Sequence, residues 1–343
     1  FDKFNMKILV TGVAGFIGYH VALKLLKKNI SVVGLDNLNN YYDVNLKKKR
    51  LENLKKFNKK FVFKKVDLNN FKSLNQIFKN NKFKKVIHLA AQAGVRYSLK
   101  NPRSYIENNI VCFFNVIELS KIYKIKNFVY ASSSSVYGAN KNLPFVETKI
   151  ADHPIQLYAA SKRSNELIAH AYSALYRLPT VGMRFFTAYG PWGRPDQALF
   201  IFTKNIIENK KIDLFNYGNH SRDFTYVEDI AEAIFKATIR ISKKNMKWNA
   251  KKPEPSSSIF PFNIYNIGAN KRVNLKYYVK ILEKHLNKNA KINYKPLQKG
   301  DVVHVASSIK KIKSHLNYKP KVSVEKGVKN FVDWFKEYYE KKY

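Results

Sequence analysis

The sequence predicts an α/β protein: a doubly wound parallel sheet covered by helices, followed by a smaller mixed α/β unit. Three observations carry that expectation. Apolar runs of strand length alternate with amphipathic stretches through the first half, the pattern of parallel strands joined by helical crossovers. That regularity weakens after Gly190. The 343 residues, 45% of them hydrophobic, are enough for one large core or two ordinary ones.

Residues 7–11 (KILVT) form the first expected strand. Residues 16–28 then place Ile17, Val21, Leu25 and Leu26 at helical spacing. A second strand covers 31–35, and the lysine-rich stretch 44–57 is a helix with a solvated face. Strands follow at 61–63, 86–89, 128–131 and 180–185, with long helices at 104–123 and 157–176. Two prolines and a glycine make 191–195 a loop. Beyond it come a helix at 227–239, a strand at 262–267, and amphipathic helices at 274–286 and 324–339. The stretch 245–261, with Pro253, Pro255 and three serines, reads as a mobile surface loop. The expected division is a first domain over 6–190, with segments near 222–240 and 262–268 returning to it, and a second mainly over 191–343.

Composition narrows the function classes. No run of about 18 apolar residues exists, so no membrane span is expected. The first residues lack a secretory signal pattern, Met6 is a candidate natural start, and a cytoplasmic location is the expectation. The single cysteine, Cys112, excludes an intrachain disulfide and a cysteine-based zinc site. No His/Asp/Glu grouping has metal-ligand spacing. The formal charge is +39, but the lysines spread over the whole chain and no zinc-finger, RNP or basic-zipper pattern accompanies them. The charge reads as solvated surface, and nucleic acid is not an expected partner.

Thr11-Gly12-Val-Ala-Gly15-Phe-Ile-Gly18 stands between the first strand and the first helix, the context of a dinucleotide fingerprint on a Rossmann-like sheet. Gly12 makes the turn, Gly15 lets backbone approach a pyrophosphate, and Gly18 permits close helix–strand packing. Phe16 and Ile17 open the helix whose N-terminus faces the phosphates. Asp36, about 20 residues on, is placed to accept the ribose hydroxyls, and its charge favours NAD over NADP. Asp67 and Leu68 follow the third strand and can meet the adenine, with a solvated strand-end acid the equal alternative for Asp67. Ala90 and Ala91 after the fourth strand are small enough to pass beneath a cofactor.

Tyr158 and Lys162 lie four apart at the start of a helix and so share a face. An ammonium beside a phenol lowers the phenol's pKa and makes it a usable general base. Ser132 to Ser135 follow the fifth strand, and open sheets bind ligands at the carboxyl ends of their strands. Those hydroxyls are therefore expected beside Tyr158. His88 reads as a satisfied core histidine.

With these motifs the chain resembles the extended short-chain dehydrogenase/reductase family of nucleotide-sugar enzymes. The segments HLAAQAGVRYS (88–98), LYAASK (157–162), RFFTAYGPWGRPD (184–196) and RDFTY (222–226) are similar to those of UDP-glucuronate 4-epimerases. The resemblance implies a catalytic set of Tyr158, Lys162 and Ser133, in which hydride from sugar C4 passes to NAD and returns to the opposite face. It further implies a carboxylate clamp of Arg194, Thr187, Ser134 and Ser135, and Arg222 on the UDP diphosphate. Arg222 can equally pair with Asp223 or Asp229, and Arg96 is left unassigned. Related dehydratases and decarboxylases carry an acid directly after the catalytic Ser/Thr; here that residue is Ser134, which favours simple epimerisation. The implied partners are a UDP-sugar and a second copy of the chain, docked through helices 104–123 and 157–176. A 4-epimerase of a neutral UDP-sugar, a UDP-glucuronate decarboxylase and a dinucleotide-sensing protein are the alternatives.

Overall fold

The computed structural model describes residues 6–298 and 300–339. The expectation about residues 1–5 and the end of the aromatic tail, beyond 339, lie outside them. The chain begins β1 (Lys7–Thr11), α1 (Phe16–Lys27), β2 (Ser31–Asp36), α2 (Val44–Lys55), β3 (Phe61–Lys65), α3 (Phe71–Lys79) and β4 (Lys85–His88). Next come the short α4 (Tyr97–Lys100) and α5 (Arg103–Tyr105), a wide π-turn over Ile106–Val111, α6 (Cys112–Ile122), β5 (Phe128–Ser133), α7 (Leu157–Tyr176) and β6 (Thr180–Phe185). The helix expected over 104–123 is thus present but widened in its middle.

The second half supplies β7 (Thr187–Tyr189), α8 (Ala198–Ile207), β8 (Lys211–Phe215), β9 (Ser221–Arg222), β10 (Phe224–Tyr226), α9 (Val227–Ile239) and β11 (Phe262–Ile267). It closes with β12 (Val273–Asn274), α10 (Leu275–Leu286), β13 (Lys291–Lys295), α11 (Lys310–Leu316) and α12 (Val324–Tyr339). Seven strands form one sheet in the order β3-β2-β1-β4-β5-β6-β11. Every neighbouring pair in it is parallel. Strand order reverses between β1 and β4, the switch point where ligands bind in open sheets.

Strands covered on both faces need continuous apolar runs. Ile8 to Val10 and Val86 to Ile87 have them and are fully buried. On one face α1 packs against α9, joining Val21, Ala22 and Leu25 to Ile230, Ala233 and Ile234 in one core. Each fully buried Leu or Ile there contributes about 1.5–3 kcal/mol. α6 and α7 cover the other face through Phe113, Val116 and Ala169. A separate core joins α8, α10 and α12 to the β8–β13 pair through Phe200, Leu214, Leu282 and Phe331.

The 245–261 stretch departs from expectation. Ser256, Ser257 and Ser258 are buried, Ile264 donates its N–H to the Ser256 carbonyl at 2.8 Å, and Lys311 Nζ donates to the same carbonyl at 2.7 Å. Trp248 Nε1 donates to the Glu254 carbonyl at 3.1 Å. The serines that read as loop composition anchor it to the sheet edge. Among the described residues, no helix is long and apolar enough to cross a membrane, and no three His, Cys, Asp or Glu side chains group as metal ligands.

Candidate functional site

A cavity of about 370 Å³ opens at the carboxyl ends of β1, β2, β4, β5 and β6. Its floor is the glycine turn. Gly12 has φ +69°, and a Cβ there would stand 2.8 Å from the Ala90 N, so only glycine fits. A Cβ at Gly18 would run into the Gly12 carbonyl oxygen, which lets α1 start against the turn. Gly15 caps α1 without a side-chain hydrogen bond, and no acid lies in its first turn. The helix start therefore presents N–H groups to the cavity with no protein anion competing for them, as a pyrophosphate requires.

Asp36 ends β2 and lines the cavity. Its Oδ1 accepts the Leu38 N–H at 2.8 Å and its Oδ2 the Ala14 N–H at 3.1 Å. Burial raises its carboxyl pKa, against the pull of those amides and of Lys47. Asp67, Leu68, Ala90, Ala91, Phe16 and Ile17 line the same cavity. His88 is enclosed with Nδ1 2.8 Å from Thr11 Oγ1, and burial pushes it down to about 3. It is a structural histidine.

Ser133, Tyr158 and Lys162 meet at the other end. β5 runs two residues further than its apolar pattern, to Ser133, which lines the cavity beside Tyr158. Burial raises the Tyr158 phenol above its ordinary value, while Ser133 and Arg194 pull it back. The expected pull from Lys162 is not what acts on the phenol here. Lys162 instead donates to the Ala131 carbonyl at 3.1 Å, and burial lowers it to about 8.

The clamp residues divide. Thr187 and Arg194 line the cavity, whereas Ser134 and Ser135 do not. The Ser135 N–H is turned to the Ser133 hydroxyl at 3.1 Å, because the chain coils into a short 3-10 turn directly after β5. Arg222 also lies outside the lining; its Nη2 donates to Asp301 Oδ1 at 3.0 Å and its Nη1 to the Val303 carbonyl at 2.9 Å. The partners read for it are taken: Asp223 accepts the N–H groups of Ala269 and Ser307, and Asp229 those of Lys321 and Val322. Arg96 and His220 approach the same Asp301, at 3.9 and 3.6 Å.

Several contributors escaped the sequence reading. Asn109, inside the widened turn, accepts the Gln92 N–H at 2.7 Å and donates to Ser161 Oγ at 2.9 Å. It thereby ties the loop after β4 to α7 beside Tyr158, a use to which such turns are often put. Asp196 closes on both Nε and Nη2 of Arg194, at 2.9 and 2.7 Å. Only the short spacing of Arg194 and Asp196 hinted at it. Arg50, fully buried, donates to the Ala14 carbonyl at 2.8 Å and the Trp192 carbonyl at 2.5 Å, joining the glycine turn to the Arg194 loop.

Residues 9–331 match the family described as GDP-mannose 4,6 dehydratase. The chain belongs to this family. Protein CapI of Staphylococcus aureus is 51% identical over 336 residues, covering 98% of this chain and 100% of that protein. A probable UDP-glucuronate 4-epimerase of Rhizobium meliloti is 43% identical over 339 residues, 98% of each. The crystal structure of UDP-glucuronic acid 4-epimerase from Bacillus cereus, in complex with UDP-glucuronic acid and NAD, superposes with a TM-score of 0.86. That protein is 32% identical, over 97% of this chain and 100% of its own.

Proposed function

We propose that this chain is an NAD-dependent UDP-glucuronate 4-epimerase, interconverting UDP-glucuronate and UDP-galacturonate. The observation that carries the reading is the convergence of Ser133, Tyr158, Lys162, Thr187 and Arg194 on the cavity that the glycine turn floors. NAD, when bound, supplies the redox partner for sugar C4. The uncapped start of α1 holds its pyrophosphate and Asp36 its ribose, with Asp67 and Leu68 toward the adenine. Lys162, four residues from Tyr158, holds the nicotinamide ribose. Tyr158 takes the proton from the 4-hydroxyl and later returns one to the same oxygen, and Ser133 holds that oxygen during the exchange. Arg194 faces the sugar carboxylate with Thr187, which keeps a β-keto acid from losing CO₂. No acid follows Ser133, so no group is placed to work on a neighbouring carbon.

The division of labour follows the chain. Residues 6–190, with α9 and β11, carry the dinucleotide, and most of 191–343 the nucleotide sugar, with Arg222 at its diphosphate. The chain pairs with a second copy through the α5–α6 and α7 helices, whose Phe114, Leu167 and Leu175 are 47%, 56% and 72% exposed. A cytoplasmic location is part of this reading, supported by the single buried cysteine and the NAD chemistry.

Purified protein incubated with UDP-glucuronate and no added NAD is expected to yield UDP-galacturonate on chromatography of the nucleotide sugars. A pentose product points to a decarboxylase instead. No change in any UDP-sugar points to a dinucleotide sensor.

A further inference from the structure

Two loops meet at the cavity on one carboxylate. Asp196, in the loop after β7, takes the side-on edge of Arg194 through Nε and Nη2. Its Oδ2 also accepts the hydroxyl of Tyr41, from the loop after β2, at 3.1 Å. Arg194 lines the cavity and Asp196 does not. Among the described residues, Arg194 Nη1 has no hydrogen-bond partner, yet it is not enclosed as the unpartnered Nη1 of Arg184 is. A guanidinium has five donors in one plane. The side-on edge uses two of them, and the Nη1/Nη2 end keeps a second bidentate edge for another carboxylate.

Tyr41 is itself fixed. Gly94 has φ +103°, and a Cβ there would stand 2.6 Å from the Tyr41 hydroxyl. The Tyr41 ring packs on Tyr97 at 4.8 Å, Tyr97 on Tyr105 at 6.3 Å, and Tyr105 edge-on against Tyr158 at 6.0 Å. The loop that carries Gly94 thus abuts Tyr41, and a row of four tyrosine rings runs from the support of Arg194 to Tyr158.

We propose that Asp196, seated by the Tyr41 hydroxyl, is a specificity-determining positioning residue that holds Arg194 side-on so that its free end meets the carboxylate of the sugar. This rests on the assignment of Arg194 to the sugar carboxylate in the proposed function. Asp196 itself does not line the cavity and acts through Arg194. Without it the guanidinium turns among several orientations, and only a sugar with a carboxylate loses affinity. A competitor role, in which the uronate must displace Asp196, has the opposite sign.

Calorimetric binding of UDP-glucuronate and UDP-glucose to the NAD-loaded protein tests this in wild type, D196N, Y41F and R194A. D196N is expected to weaken UDP-glucuronate by about tenfold or more and UDP-glucose by less than about twofold. In turnover the loss falls on KM with kcat little changed. Y41F, which removes one hydroxyl and keeps the stack, gives a smaller loss of the same selectivity and decides the matter should D196N fold poorly. Unchanged or tighter UDP-glucuronate binding in D196N overturns the proposal, as do equal losses on both sugars or an R194A variant that loses nothing on the uronate. A wild type that makes no UDP-galacturonate, while D196N still loses the uronate selectively, overturns the epimerase reading and leaves the positioning role standing.

Discussion

Glu166 and Arg184 meet edge to edge with both side chains sealed from solvent, Nε to Oε1 and Nη2 to Oε2 each at 2.8 Å. Burial raises the Glu166 carboxyl, but Arg184, the Ser132 hydroxyl at 2.6 Å and Arg163 outweigh it and leave it below the usual carboxylate value. The pair joins β6 to α7 one turn beyond Lys162, and through Ser132 it reaches the residue beside Ser133. A charge pair in the core, with the Ser132 hydroxyl on it, thus braces β5 and β6 against α7, the helix that carries Tyr158 and Lys162.

Glu166→Gln leaves the Arg184 guanidinium buried without a counter-charge. The expected loss is about 3–5 kcal/mol of unfolding free energy, read from urea denaturation. Adding Arg184→Gln recovers part of it, because the two effects share one interaction. A single-variant loss below about 1 kcal/mol contradicts the bracing role.

Tyr158→Phe removes the proposed proton-transfer group and keeps the ring against Tyr105. Turnover is expected to fall by about 10²–10⁴-fold while UDP-sugar affinity stays within a few-fold. Retained turnover in this variant moves the base elsewhere.

Gly12→Ala forces a side chain into a left-handed turn and against Ala90. Protein purified with this change is expected to carry far less NAD than wild type, measured after release by denaturation. Equal NAD content means that the turn does not hold the dinucleotide.

The acid side of the stability profile should belong in part to two histidines. Burial lowers His20 to about 4 and His88 to about 3, both below the ordinary 6.5. The unfolded chain therefore binds protons first as pH falls. Their stability is full above pH 6.5 and is lost between 6.5 and about 4 for His20, and between 6.5 and about 3 for His88. Each slope approaches about 1.4 kcal/mol per pH unit. His20→Gln, which retains a donor for the Pro191 carbonyl, should flatten urea midpoints between pH 6.5 and 5. An unchanged slope rejects the assignment.

Leu167→Glu and Leu175→Glu place charge on the exposed apolar face of α7. Sedimentation velocity is expected to show dimer in wild type and monomer in the double variant. A wild type that sediments as monomer at micromolar concentration removes the dimer proposal.

Much of this architecture was legible because it is written in local periods. β1, α7, β6, α9, β11 and α12 lie where alternation and helical spacing place them, and a glycine turn between strand and helix has one structural meaning. The unread elements are short or uncovered by pattern. The β8–β13 pair alternates weakly on an exposed edge, and the widened turn at Ile106–Val111 has no period at all.

The sequence by itself determined the fold class, the dinucleotide turn and the shared face of Tyr158 and Lys162, since each depends on residues within one turn or one strand of each other. Tertiary structure decided the partners of every charge that matters. Tyr41 reaches Asp196 across 155 positions, Arg222 reaches Asp301 across 79, and Glu166 meets Arg184 across 18 through the core. Such pairs follow from which loops the sheet brings to one edge. Coulomb attraction depends on distance in space, and no residue period encodes that distance.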